Sequence, residues 1–295
     1  MYTCGSKVFM DRLPIRGGIS LHPEYYDEII NQQPDVGWFS LKAEHYLGLG
    51  GAPHHYLEKI AAHYPISIQC HSISIGSAES VNDKHLQDIL SLIERYVPSE
   101  VSISLSWSRW QGAYFAENLP LPYTTEALDQ IAINIKSVQN ALGRRVLLEN
   151  PATLFELENN ELTEGAFFTD LVRHTGCGLA LDLNNLYVSC LNTGKDAFRE
   201  LQDYPLAATK EIHLSGHSLR PLDDQNMLLI ADHDAHIAKP VWQLYRDVLS
   251  RLPNPAATLV EWNHKRPDLA LSMEQMTKVD GIIEEQQQTS RGVAL

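Results

Sequence analysis

Residues Gly178–Asn185 read GLALDLNN: an apolar run, Leu179 to Leu181, that stops on the carboxylate of Asp182 and passes into Asn184 and Asn185. A strand buried on both faces and closed by a polar residue is typical of a parallel sheet whose C-terminal edge opens on a site. Seven other runs of the same kind surround it. Before it come GGISLH (17–22), VGWFSLKAE (36–44), PISIQCHSISI (65–75), VSISLSW (101–107) and RVLLEN (145–150); after it come EIHLSG (211–216) and ATLVEW (257–262). Segments of helical period separate them. Leu86, Ile89, Leu90, Ile93 and Val97 share one helical face behind an Asn82 or Asp83 cap, and Leu128, Ile131, Ile135, Val138 and Leu142 share another that stops at Gly143. Pro23 and Pro240 each stand at a first-turn position. Strict alternation requires parallel pairing through crossover helices, and the repeat count predicts an α/β fold of the (β/α)8 TIM-barrel type.

The whole chain, 1–295, reads as one such domain, because no Pro- or Gly-rich linker divides it. Its tail, 284–295, is polar without an apolar stripe and is expected to be a frayed helix end or disordered. A net charge of −14, from 37 acidic against 23 basic residues, argues against nucleic acid as a partner. No stretch reaches the roughly 18 apolar residues of a membrane span, and the start MYTCGSKVFMDRLPIRGG lacks the apolar core of a signal peptide. A cytoplasmic location without membrane contact is the expectation. Cys4, Cys70, Cys177 and Cys190 show no CxxC spacing and read as buried thiols.

The ends of the last four strands carry the chemistry. Glu149 closes the fifth strand, Asp182 the sixth, His213 lies near the end of the seventh, and Glu261 closes the eighth. In a closed barrel these are neighbours on one rim. Three carboxylates facing one cavity repel one another unless a cation lies among them, and three carboxylates with one imidazole suit iron, manganese or zinc. The alternative is four unrelated rim residues. ADHDAH (231–236) brings Asp232 and His233 to the loop after the seventh strand, with Asn185 and His217 within reach, so a second metal is one reading and a solvated polar loop the other. Gln69 and His71 share a face of the third strand, while Glu44 and His45 end the second. His54 and His55 are expected at the surface. The connection from Trp107 to Thr125, with Trp110, Tyr114 and Phe115, is a candidate cavity wall. No GxSxG or phosphate-loop pattern is present.

Taken in order, LLEN, LDLNN, EIHLSGH, DHD followed by VWQLY, and LVEW resemble the multinuclear non-haem iron-dependent oxidases, once an uncharacterised domain family, which include the methanobactin biosynthesis oxidase. The resemblance runs from GGISL to LVEWN and implies a xylose-isomerase-like barrel with iron at its C-terminal rim. It places the central iron on Glu149, Asp182, His213 and Glu261, and gives Asn185 and His233 to a neighbouring iron. The chain departs from the family where a His-Gly pair is usual, having Gln69 and Cys70 with His71 just beyond. It reads Ser102, Ile103, Ser104 where Ser-Glu-His is usual, and has Ala231 where an Asp is frequent. Two irons rather than three are therefore expected, with any additional site rebuilt around His71.

The resemblance further implies oxidation of a cysteine-containing precursor peptide by dioxygen, with a small partner protein delivering the peptide. Two rival readings remain at this level. One is an isomerase or hydrolase of the same barrel class using zinc or manganese as a Lewis acid; the other is a catalytically degenerate barrel that keeps its metal.

Overall fold

In a computed structural model, residues 12–111, 113–223 and 226–293 are described. Eight parallel strands close a barrel: β1 (Gly17–Ser20), β2 (Phe39–Lys42), β3 (Ile66–Cys70), β4 (Glu100–Ser104), β5 (Leu147–Glu149), β6 (Gly178–Asp182), β7 (Thr209–Leu214) and β8 (Ala257–Val260). Each pairs with its sequence neighbour, and β1 closes on β8 through Gly17 opposite Thr258 and Ile19 opposite Val260. All eight expected strands are present. Around them lie α1 (Tyr26–Gln32), α2 (Ala52–Ala61), α3 (Asp83–Tyr96), α4 (Thr125–Leu142), α5 (Glu164–Thr175), α6 (Leu183–Thr193), α7 (Lys239–Arg251) and α8 (Leu269–Val293). The polar tail is thus helical as far as Val293.

The caps follow local chemistry. Asn82 accepts from the His85 amide, Thr124 from Ala127 and Thr163 from Ala166, each meeting a donor the first helical turn leaves unpaired. Gly143 ends α4 at φ 61°. On α3 the apolar face differs from expectation, and Leu90 is only half-buried. Val97 is the left-handed C-cap and is exposed, and Leu92 and Tyr96 take its place in the core.

The barrel floor is closed by Trp38, fully buried, whose Nε1 donates to the Arg16 carbonyl at 3.1 Å. Its ring lies so close to Gly18 that a Cβ there would stand 2.4 Å away, so this position admits only glycine. Asp280 of α8 ties the helix to β1, accepting from the Gly17 amide at 2.6 Å and pairing with Arg16 at 3.3 Å.

Two rim connections form antiparallel hairpins that the sequence pattern did not announce. One pairs Trp107–Trp110 with Ala113–Leu119; the other pairs Ser218–Pro221 with Met227–Ile230. His54, expected at the surface, is buried. Its Nδ1 meets the Tyr96 hydroxyl at 2.7 Å and its ring stacks on Tyr96, whereas His55 is exposed. Cys70, Cys177 and Cys190 are buried free thiols, while Cys4 lies outside the described residues. Among the described residues no helix is long and apolar enough to cross a membrane.

Candidate functional site

Parallel pairing sets the four strand-end residues side by side. Asp182 is opposite His213 in the β6–β7 register, His213 is opposite Leu259 in β7–β8, and Glu149 is opposite Ala180 in β5–β6. Glu149, Asp182, His213 and Glu261 are buried, and each offers a ligand atom within 4.8 Å of the others. His213 Nδ1 lies 3.2 Å from Glu149 Oε1 and 4.0 Å from Glu261 Oε2.

The strands alone do not hold these groups. Asn150 extends the β5–β6 ladder with its side chain, accepting from the Asp182 amide at 2.8 Å and donating to the Asp182 carbonyl at 2.9 Å. Asp182 also caps α6, its Oδ1 accepting from the Asn185 amide at 2.7 Å. Gln69 reaches across from β3 and donates to Glu261 Oε2 at 3.3 Å. Lys42, at the end of β2, places its ammonium 3.5 Å from Glu261 Oε1 and hydrogen-bonds the Asn263 amide oxygen.

His233 arrives on the loop after the second hairpin with a left-handed backbone, φ 57°, held where Asn263 donates its amide to the His233 carbonyl. Its Nε2 lies 3.3 Å from Asn185 Oδ1 and 4.0 Å from Asp182 Oδ2, and its Nδ1 is 3.6 Å from Glu261 Oε1. Asn185 and His233 therefore lie beside Asp182 and Glu261.

Three other expected residues have different surroundings. His217 Nδ1 meets Asn184 Oδ1 at 2.7 Å, with its ring against Tyr187. Asp232 accepts from the Ser218 hydroxyl. His71 stands on the cavity wall, its backbone amide donating to Glu44 Oε1 at 2.8 Å alongside two bonds from Ser72, so Glu44 fixes the turn after β3.

Electrostatics reflect this crowding. Burial pushes the Asp182 carboxyl from 3.8 up to about 6, with Glu149 adding to it and His233 opposing. Burial also raises Glu149 and Glu261, but the bond and charge of His213 outweigh it for Glu149, and the charges of His233 and Lys42 hold Glu261 well below its usual value. Burial lowers His213 and His233, yet Glu149 and Glu211 drive His213 well upward, and Glu261 and Asp182 raise His233.

Several buried atoms here lack any hydrogen-bond partner: Glu149 Oε2, Asp182 Oδ2, His233 Nδ1 and His71 Nε2. A bare buried carboxylate oxygen is costly, and several that converge with imidazole nitrogens fit a divalent cation. The cluster opens into a cavity of about 810 Å³, of a size that takes a small molecule or a peptide side chain with its neighbours. Tyr114 and Leu119 of the first hairpin and Leu154, Phe155 and Ile230 form its apolar wall, as expected for the 107–125 connection.

Sequence reasoning missed Lys42, Asn150, Asn263 and Glu211. For Glu211 the signal was available, since it precedes His213 by two on one strand and faces the same side.

Comparison with known proteins places this geometry in context. The family model described as "RiPP precursor modification enzyme MbnB/TglH/ChrH" matches residues 16–284. A UPF0276 protein of Paraburkholderia phytofirmans is 42% identical over 250 residues, 85% of this chain and 81% of its own. An L-ribulose 3-epimerase superposes with a TM-score of 0.59 at 13% identity, covering 95% of this chain and 98% of that one. Endonuclease IV of Thermus thermophilus does so with a TM-score of 0.57 at 15% identity, covering 90% and 98%. At such identities the structural likeness establishes the xylose-isomerase-like barrel alone.

Proposed function

The chain belongs to the family of RiPP precursor modification enzymes MbnB/TglH/ChrH, and from that premise we propose that it is an iron-dependent oxidase that uses dioxygen to modify a cysteine-containing precursor peptide. The observation that carries this reading is the buried Glu149–Asp182–His213–Glu261 cluster opening on a large cavity. These four residues hold the central iron. Asn185 and His233, beside the free oxygen of Asp182, hold the second. Bound there, iron supplies one-electron redox chemistry and an anchor for a thiolate, neither of which side chains provide.

The surrounding residues have separate tasks. His233 and Lys42 keep Glu261 ionised, and Gln69 fixes the direction of its other oxygen. Leu154, Phe155 and Ile230 keep water from one side of the cavity. His71 keeps an unpartnered Nε2 for a further ion or a polar group of the substrate, whereas His217 and Asp232 lie against Asn184 and Ser218 rather than in the central cluster. Exposed Trp110, Tyr114 and Phe115 give the peptide, or a small protein that delivers it, an aromatic surface beside the entrance. Its working compartment is the cytoplasm.

Elemental analysis of protein purified without added metal tests this, together with dioxygen uptake in the presence of a cysteine-containing peptide. The expected result is about two irons per chain, lost from the central position in Glu149→Ala, and peptide-dependent uptake. Zinc or manganese with no uptake would instead assign the protein to the isomerase or hydrolase class.

A further inference from the structure

His213 is gripped from inside the barrel as well as from the rim. Glu211 Oε2 lies 3.1 Å from His213 Nε2, and Glu211 Oε1 accepts the Ser67 hydroxyl at 2.6 Å. Ser67 belongs to β3, which does not neighbour β7, so this chain of bonds spans the lumen. All three residues are completely buried. A carboxylate in such a place is expensive, and among the described residues neither lysine nor arginine forms an ion pair with Glu211. Packing alone would favour an apolar side chain here.

We propose that Glu211 is the positioning residue of the central site, accepting the His213 Nε2 proton and so fixing the ring with Nδ1, the nitrogen that would meet a cation, towards Glu149 and Glu261. The proposal rests on the reading of the cluster as a metal site. With the proton fixed on the nitrogen that faces Glu211, the opposite nitrogen is left as a donor to a cation, and the carboxylate behind the ring makes it a better one. A ring protonated on Nδ1 would donate to Glu149 Oε1, 3.2 Å away, and offer an ion nothing. Ser67 restrains the carboxylate in turn.

The test is anaerobic titration of the full chain with iron(II), and separately with cobalt(II), in competition with a colorimetric chelator. Wild type, Glu211→Ala, Glu211→Gln and Ser67→Ala are compared, with folding checked by circular dichroism. Glu211→Ala is expected to weaken binding of the first ion by about 10- to 100-fold and to shift the cobalt absorption bands. Glu211→Gln keeps an acceptor for the ring proton, so it should retain the band pattern and lose less than about 10-fold, and it decides the question if the alanine variant fails to fold. Ser67→Ala should show a smaller loss still.

Wild-type affinity and spectrum in both Glu211 variants would overturn the proposal while leaving the metal reading intact. Loss of binding in Glu211→Gln as complete as in Glu149→Ala would also overturn it, by making Glu211 a ligand. A wild type that takes up neither ion overturns both readings.

Discussion

Replacing Asp182 by asparagine is expected to stabilise the metal-free protein while abolishing its grip on metal. The Asp182 carboxyl, completely buried, titrates at about 6 instead of 3.8. At about 1.4 kcal/mol per pKa unit, this difference amounts to about 3 kcal/mol. Because the folded value is the higher one, the ionised folded chain carries that cost in full above pH 7, and the cost fades as pH falls through 6 towards the unfolded value. Asparagine removes it. Its oxygen can still accept from the Asn185 amide, a 2.7 Å bond in the wild type, and its NH2 takes the place of an oxygen that has no partner. The value of about 6 already includes the attraction of His233, 4.0 Å away, so the gain is at most about 3 kcal/mol. Urea denaturation with a chelator present would measure it at pH 8 and again near pH 4.5, where about a third of the cost remains and the gap between variant and wild type should narrow accordingly. Added metal should then reverse the order, since only the wild type gains binding energy. A metal-free asparagine variant less stable than wild type at pH 8 would refute the reasoning, for it would mean that burial is not the main influence on this carboxyl. Asp182→Ala is the contrasting control, with about 1 kcal/mol lost from the helix cap.

Three further outcomes are expected. Gly216→Ala would bring a Cβ to 2.0 Å from the Ala235 carbonyl oxygen, so the loop bearing His233 must shift; stepwise metal titration should show the second ion lost and the first retained, and retention of both would contradict the role given to that loop. Gly18→Ala drives a methyl into the Trp38 ring and should lower stability by about 2 kcal/mol or more in urea denaturation. Asp280→Ala removes the bonds to Gly17 and Arg16 and should cost about 1–3 kcal/mol in thermal unfolding, with metal content unchanged because the contact lies at the opposite end of the barrel from the site.

The barrel and its buried rim cluster were legible because both obey short-range rules. A buried parallel strand is a local apolar run, and Asp182 and Glu261 stand out by ending one. What escaped reading depends on contacts between distant segments. Lys42 meets Asn263 across 221 positions, and His54 is buried by Tyr96, 42 positions on. The rim hairpins hid because their strands sit on the rim rather than in the core. Leu219 and Met227 are exposed, so the second hairpin lacks the alternation that marks a half-buried ribbon. Glu211 was concealed differently. At the start of EIH it resembles a solvated strand entrance, although its spacing of two from His213 already puts it on the same face, which the closed barrel buries completely.

Asp182 has two oxygens and one of them is already engaged: Oδ1 closes the first turn of α6, and Oδ2 alone is bare. A cation held here would therefore meet the oxygen that the helix leaves free. To bind through both oxygens Asp182 would have to release the Asn185 amide and fray the turn that carries Asn185 itself. Glu149 differs, with a bare Oε2 and a side chain not tied to a helix start, whereas Glu261 has Lys42 at one oxygen and Gln69 at the other. The site is thus stiff at β6 and β8 and adaptable at β5, and the cavity opens onto the adaptable residue, since Glu149 lines it and Asp182 does not.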